Sequence, residues 1–296
     1  GTPMKLLIPG PVTTHPDVRA AMAVDFAPWD NDFRPLYAGV RARLLALGGG
    51  NAATHAALPL QGSGHFGMEA ALRALLRPGE RILIPMTGSY AERMARLARD
   101  AGRVPVPLAA SRTEPLDPDT VRKALADPTI ATVGLVQNET STGLVADLAA
   151  IGAVVRAAGR RLLVDAVSAF GALPLDLAAQ PEIAAAVFTP NKCLEGLPGL
   201  AVVLARRDAL PAPGAAGSWC FDLADILDHA EKRGWGSFRF TPPAQTLNAL
   251  RVALDRLQAE GREARLARYG GNAAALRRGM EALGLRPVLA ARHQGP

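Results

Sequence analysis

The sequence predicts an α/β fold built on a mostly parallel central sheet with helices on both faces. Two observations carry this prediction. Four short, continuous apolar runs have the length of strands buried on both sides: Arg81-Ile82-Leu83-Ile84, Ala131-Thr132-Val133-Gly134-Leu135-Val136, Arg161-Leu162-Leu163-Val164 and Gly199-Leu200-Ala201-Val202-Val203-Leu204. Segments with helical spacing of apolar residues lie between and beside them, over 67–76, 90–100, 119–126 and 148–158. Gly and Pro punctuate the joins, as in Arg77-Pro78-Gly79-Glu80. Strands alternating with helices are the pattern of βαβ units.

The flanks differ. Ile8-Pro9-Gly10-Pro11 is extended and turn-rich, and a helix follows over 16–23. Leu58-Pro59-Leu60 makes a poor strand because proline cannot donate to a ladder. After about residue 245 the pattern turns helical, over 247–261 and 263–283, with a short strand-like Pro287-Val288-Leu289 last. The expected organisation is an N-terminal arm and large domain over 1–245, then an incomplete small C-terminal domain beginning at 246–296.

Bulk properties narrow the function. The net charge is +6, but the arginines are spread over helical stretches such as 90–103 and 258–278, the signature of solvated helix faces. Nucleic acid is therefore not an expected partner, whereas a modest positive field suits an anionic substrate or cofactor. Two cysteines, Cys193 and Cys220, make no disulfide framework, and five dispersed histidines make no metal site. Gly1-Thr2-Pro3 reads as an added remnant before a native Met4. No apolar run has the length of a signal peptide core or a membrane span, so a cytoplasmic enzyme is expected.

Three segments carry chemistry. Gln61-Gly62-Ser63-Gly64-His65-Phe66-Gly67 places a Gly-Ser-Gly turn before a helix, whose free amides and dipole suit a phosphate. The same residues satisfy Gly-x-Gly-x-x-Gly. A dinucleotide site, however, needs an acidic residue at the end of the next strand, and that strand ends in Pro85-Met86-Thr87. Asp165 directly follows a buried apolar run, which puts a carboxylate at the edge of the sheet where α/β folds bind ligands. It can pair with a protonated pyridine nitrogen or merely cap a helix. Lys192 stands in the apolar, Gly/Pro-rich stretch Phe188 to Gly199, 27 positions after Asp165. A partly desolvated lysine has a lowered pKa and becomes a usable amine nucleophile. Taken singly each residue has a bland alternative; the order of phosphate turn, strand-end acid and lysine is specific.

Four stretches extend the pattern: Leu7-Ile8-Pro9-Gly10-Pro11-Val12-Thr13-Thr14, Pro28-Trp29-Asp30-Asn31-Asp32-Phe33, Asn191-Lys192-Cys193-Leu194-Glu195-Gly196-Leu197-Pro198-Gly199 and Phe238-Arg239-Phe240-Thr241-Pro242-Pro243. With them the chain resembles the class V aminotransferase group of fold-type I pyridoxal-phosphate enzymes, and within it the 2-aminoethylphosphonate:pyruvate aminotransferases. The resemblance implies that Lys192 forms a Schiff base with pyridoxal 5'-phosphate and shuttles a proton. It implies that Asp165 pairs with the pyridine nitrogen, that Val167 packs beneath the ring and that Tyr90 stacks on it. Ser63, Gly64 and His65 would bind the phosphate, with Asn191 and, from the neighbouring subunit, Thr241; Thr140 would lie near the cofactor's O3′. A homodimer with shared active sites is implied, as is a ping-pong exchange between an amine donor and a keto acid.

His65 departs from this pattern. Gly-Ser-Gly-His resembles the alanine:glyoxylate and serine:glyoxylate aminotransferases, which keeps a second donor set open. A desulfurase of the same fold is disfavoured, because those enzymes place histidine where Asn191 stands. The resemblance also implies further chain carrying an arginine for the substrate's acid group; without it, a cofactor-binding, non-catalytic dimeric scaffold is the remaining alternative.

Overall fold

The structure is a computed structural model that describes residues 4–296, so the reading of Gly1-Thr2-Pro3 lies outside the described residues. In chain order the elements before the lysine segment are α1 (Pro16–Ala20), α2 (Arg34–Leu47), β1 (His55–Gln61), α3 (Gly64–Leu75), β2 (Arg81–Pro85), α4 (Ser89–Asp100), β3 (Val104–Leu108) and α5 (Pro118–Ala124). They continue with β4 (Ile130–Val136), β5 (Asn138–Glu139), β6 (Leu144–Val145), α6 (Leu148–Ala157), β7 (Arg161–Asp165) and β8 (Ile183–Phe188). After it come β9 (Leu200–Arg206), α7 (Leu223–Arg233), α8 (Ala244–Glu260) and α9 (Arg262–Ala282).

Seven strands form one sheet in the order β1-β9-β8-β7-β4-β2-β3, and β5 and β6 make a separate small hairpin. Strands β2, β3, β4, β7 and β8 run parallel; β9 alone is reversed, antiparallel to both β8 and β1. Side chains alternate through the sheet, as the strand period of two demands. Leu162 and Val164 belong to one core with α2, α5, α6 and α8, while Leu163 belongs to the other with α3, α4 and α7. Each such fully buried aliphatic side chain stabilises the fold by about 1.5–3 kcal/mol. The fold is therefore the three-layer α/β arrangement the sequence predicts.

Prolines account for the first difference. Leu58-Pro59-Leu60 is a strand after all, because β1 is an edge of the sheet and Pro59 needs only one partner, opposite Val202. The other edge, β3, carries Pro105 and Pro107 opposite Ile82 and Ile84, and its prolines hid it from the sequence pattern. Strand β8 was hidden for another reason: Ala184-Ala185-Ala186 has no strand preference, and its conformation comes from pairing on both sides with β7 and β9. Pro287-Val288-Leu289 forms no strand; Val288 is 82% exposed and pairs with no strand among the described residues, and the nearby bridge joins Leu144 to Gln294 instead.

This topology gathers the site. The carboxyl ends of β2, β4, β7 and β8 and of β1 all reach one edge of the sheet, so the segments following them converge there: 62–65, 87–90, 138–143, 165–168 and 189–192. No helix among the described residues is long and apolar enough to cross a membrane.

Candidate active site

At that edge lies a cavity of about 430 Å³. Its walls include Ser63, Gly64, His65, Tyr90, Asp165, Val167, Asn191 and Lys192, so eight of the ten residues singled out from the sequence meet in one place. Thr140 and Thr241 are not among its lining residues. Thr140 sits in the turn that closes Gly143 N–H onto the Glu139 carbonyl at 2.7 Å. Thr241 is exposed, and its carbonyl accepts from Gln61 Nε2 at 2.9 Å, next to the Gly-Ser-Gly turn. A wider groove of about 1090 Å³, bounded by Leu47, Asp147, Leu175 and Arg262, contains no lysine and none of these residues, so size alone does not locate the chemistry.

The phosphate turn takes its shape from two glycines. Gly62 has φ +127°, a left-handed backbone that suits glycine, and its amide donates to the Gly199 carbonyl at 3.0 Å. Gly64 opens α3, where a Cβ would stand 3.0 Å from Val167 Cγ2. The Ser63 side chain caps nothing, and the amides of Gly64 and His65 have no intrahelical acceptor. They are donors available to an anion, backed by the helix dipole.

Asp165 ends β7, and its Oδ1 accepts from the Val167 amide at 3.0 Å. Burial pushes its carboxyl up to about 6; the Val167 bond opposes this, while Glu139 adds to it and Lys192 counters it more weakly. Burial likewise lowers Lys192 from the usual lysine value, against the pull of Cys193 and Asp165. His65 is lowered by burial and then by Arg93, which favours the neutral ring. An enclosed carboxyl without a fixed cation and a lysine with a weakened hold on its proton are groups prepared for a ligand.

Four residues the sequence did not single out complete the site. Gly10 lies against the lysine: a Cβ there would fall 2.2 Å from Lys192 Cδ and 2.8 Å from Nζ. The Asn191 carbonyl accepts the Val12 amide at 3.2 Å, which ties the N-terminal arm over the lysine segment. Thr189 lines the cavity with a buried hydroxyl that has no hydrogen-bond partner. Arg93 lines it too, with its guanidinium over the Tyr90 ring at 5.0 Å. Glu139 is buried and accepts from the Tyr90 and Ala91 amides at 3.1 and 3.4 Å and from Ser141 Oγ at 2.8 Å. It caps α4 from across the site, a contact no local sequence signal announces.

Residues 49–294 match the family model described as aminotransferase class-V. The chain is 42% identical over 294 residues to the 2-aminoethylphosphonate--pyruvate transaminase of Pseudomonas putida, covering 98% of this chain and 79% of that protein. It is 44% identical over 292 residues to the enzyme of the same name from Burkholderia pseudomallei, covering 98% of this chain and 78% of the other. Among solved structures, pyridoxamine-pyruvate aminotransferase from Mesorhizobium loti superimposes with a TM-score of 0.89 at 29% identity, over 100% of this chain and 76% of that one. The amides of α3, the strand-end acid and the half-buried lysine form a set of groups that fits pyridoxal phosphate at each end. The chain belongs to the class-V aminotransferases and is a pyridoxal-phosphate-dependent enzyme.

Proposed function

We propose that the chain transfers the amino group of 2-aminoethylphosphonate to pyruvate, giving phosphonoacetaldehyde and alanine. The observation that carries the site assignment is the convergence of Lys192, Asp165 and the Gly64 and His65 amides on one cavity. The substrate pair rests on the likeness to the two transaminases, which extends over nearly the whole chain.

The cofactor, when bound, supplies an electron sink for the carbon that bears the amine. The chain's residues do the rest. Gly64 and His65 amides, with Ser63 and Asn191, would hold the phosphate end. Asp165 would hold the pyridine nitrogen in its protonated form. Val167 and Tyr90, both in the cavity wall, would flank the ring. Lys192 Nζ would anchor the cofactor and, as a neutral amine, would accept the proton released from the donor's amine-bearing carbon. Its lowered pKa suits both tasks, because an amine must be neutral to attack or to accept a proton.

Incubation with 2-aminoethylphosphonate and pyruvate should release alanine; a cofactor-loaded protein that releases none would remove this substrate pair. His65 favours a second reading, alanine or serine with glyoxylate. Comparing kcat/KM for the two donor sets decides between them. A cytoplasmic homodimer belongs to the same proposal. Thr241 supports the dimer, since it is exposed and lies outside its own chain's cavity, free to reach a partner's. Sedimentation that shows an active monomer would remove that part.

A further inference from the structure

The lysine segment is held from behind by the C-terminal helices. Lys192 begins a turn in which the Glu195 amide donates to the Lys192 carbonyl at 2.9 Å and the Gly196 amide to the Pro190 carbonyl at 2.7 Å. Glu195 is the one non-glycine residue with positive φ among the described residues, at +57°. A glutamate keeps that left-handed backbone only when its surroundings hold it. Here they do. Tyr269 Oη donates to Glu195 Oε1 at 2.6 Å and approaches the Cys193 carbonyl at 3.3 Å, and Arg268 Nη2 donates to the same Oε1 at 2.6 Å. Arg265 donates from Nη1 to the Cys193 carbonyl at 2.9 Å and from Nε to Glu260 Oε2 at 2.8 Å.

Arg265 is among the least expected features of the chain. Its side chain is 1% exposed, although it lies in the first turn of α9, a helix otherwise mostly on the surface. A buried guanidinium is tolerated only when paired and hydrogen-bonded. Its partners are Glu260 at the end of α8 and the backbone of the residue that follows Lys192. The sequence between Glu260 and Tyr269 is thus folded around the lysine turn and not around a general core.

We propose that Arg265 and Tyr269 are positioning residues for Lys192: by fixing the Cys193 carbonyl and the Glu195 carboxylate, they set the direction in which the lysine side chain enters the cavity. The inference rests on the assignment of Lys192 as the cofactor's anchor. The charged and titratable groups that face Lys192 from the cavity walls are Asp165, His65, Tyr90 and Arg93, and Cys193 adjoins it in sequence. The hydrogen bonds of Arg265 and Tyr269 go to Cys193, Glu195 and Glu260 and to none of those wall residues. Any change they make in the lysine's behaviour is therefore transmitted through the turn.

The test uses the cofactor-loaded protein with Tyr269→Phe, Arg265→Lys and Glu195→Gly; the last accepts the positive φ but loses the carboxylate. Each variant should lower kcat about ten-fold or more, as small misplacements of a reacting group do, while KM stays within about two-fold. Each should also shift the pH midpoint of the visible band of the lysine-bound cofactor by about half a unit or more. Tyr269→Phe removes one hydroxyl and keeps the ring, so it remains informative if Arg265→Lys fails to fold. Variants that melt earlier yet keep the wild-type midpoint and kcat would overturn the proposal, leaving a structural brace only. A band that persists in Lys192→Ala would instead overturn the anchor assignment, which separates the two failures.

Discussion

Glu139 Oε1 accepts the Tyr90 amide at 3.1 Å, so an acid from the short strand β5 caps the helix whose first turn presents the aromatic wall of the site. Gly88 makes room for it, because a Cβ there would stand 2.4 Å from Glu139 Cγ. Glu139→Ala should lower the unfolding free energy of the cofactor-free protein by about 2–4 kcal/mol, and Glu139→Gln by less, since it keeps an acceptor. Gly88→Ala should cost less on top of Glu139→Ala than by itself, because the contacts with Glu139 leave with its carboxylate and that with Ser141 Oγ, at 2.6 Å, remains. Urea unfolding of the two single variants and the double measures this; strictly additive effects would show that the two residues are not coupled.

Asp165 predicts an unusual acid behaviour. Its folded pKa is raised to about 6 from an ordinary value of 3.8, so the cofactor-free native state binds the proton more tightly than the unfolded chain does. This group's contribution to stability is then present in acid and is lost as pH rises from about 4 to about 6. Measured as the difference between the cofactor-free wild type and Asp165→Asn, the melting temperature of the wild type should fall relative to the variant across that window. Cofactor should reverse the trend by setting a positive charge beside the carboxylate. A flat difference would contradict the desolvated, unpaired carboxyl.

Gly67 tests the packing of α3 against the sheet. A Cβ at this position would lie 2.9 Å from Val187 Cγ1 and 3.0 Å from the Ala201 Cβ, both on the buried sheet. Gly67→Ala gains about 1 kcal/mol of helix preference but must push α3 off the sheet. Overpacking of this kind costs about 1–3 kcal/mol, and it moves the Gly64 and His65 amides with the helix. Equilibrium dialysis should show weaker cofactor binding alongside a lower urea midpoint.

Gly10 offers a perturbation with little effect on the fold. It lies half-buried in the arm, and the three atoms nearest to an added methyl all belong to the flexible lysine side chain. Gly10→Ala should leave the melting temperature of the cofactor-free protein within about 2 °C, yet lower kcat about ten-fold or more by displacing Lys192 Nζ. An unchanged kcat would place the arm elsewhere in solution.

The centre of the site is legible in the amino-acid sequence alone. The runs ending at Val136 and Val164, the Gly-Ser-Gly turn and the order of Asp165 and Lys192 are local: each signal arises from residues a few positions apart, through strand periodicity, turn chemistry and helix capping. These marked four strands of the sheet, β2, β4, β7 and β9, the edge at which the cavity forms, and eight of the residues that line it. The third glycine of Gly-x-Gly-x-x-Gly is visible too, but its purpose is not; it lets α3 approach Val187 and Ala201, more than a hundred positions away.

What only the tertiary structure decided are the contacts between distant segments. Glu139 on Tyr90, Gly10 on Lys192 and Arg265 on the carbonyl after Lys192 join residues 49, 182 and 72 positions apart. Strands β3 and β8 belong here as well, since prolines at an edge and alanines at a centre become strands only when neighbours supply their hydrogen bonds. The chain's own pattern marks which groups can do the chemistry. Close packing of the layers, which leaves a buried charge or amide no alternative partner, decides how those groups are held.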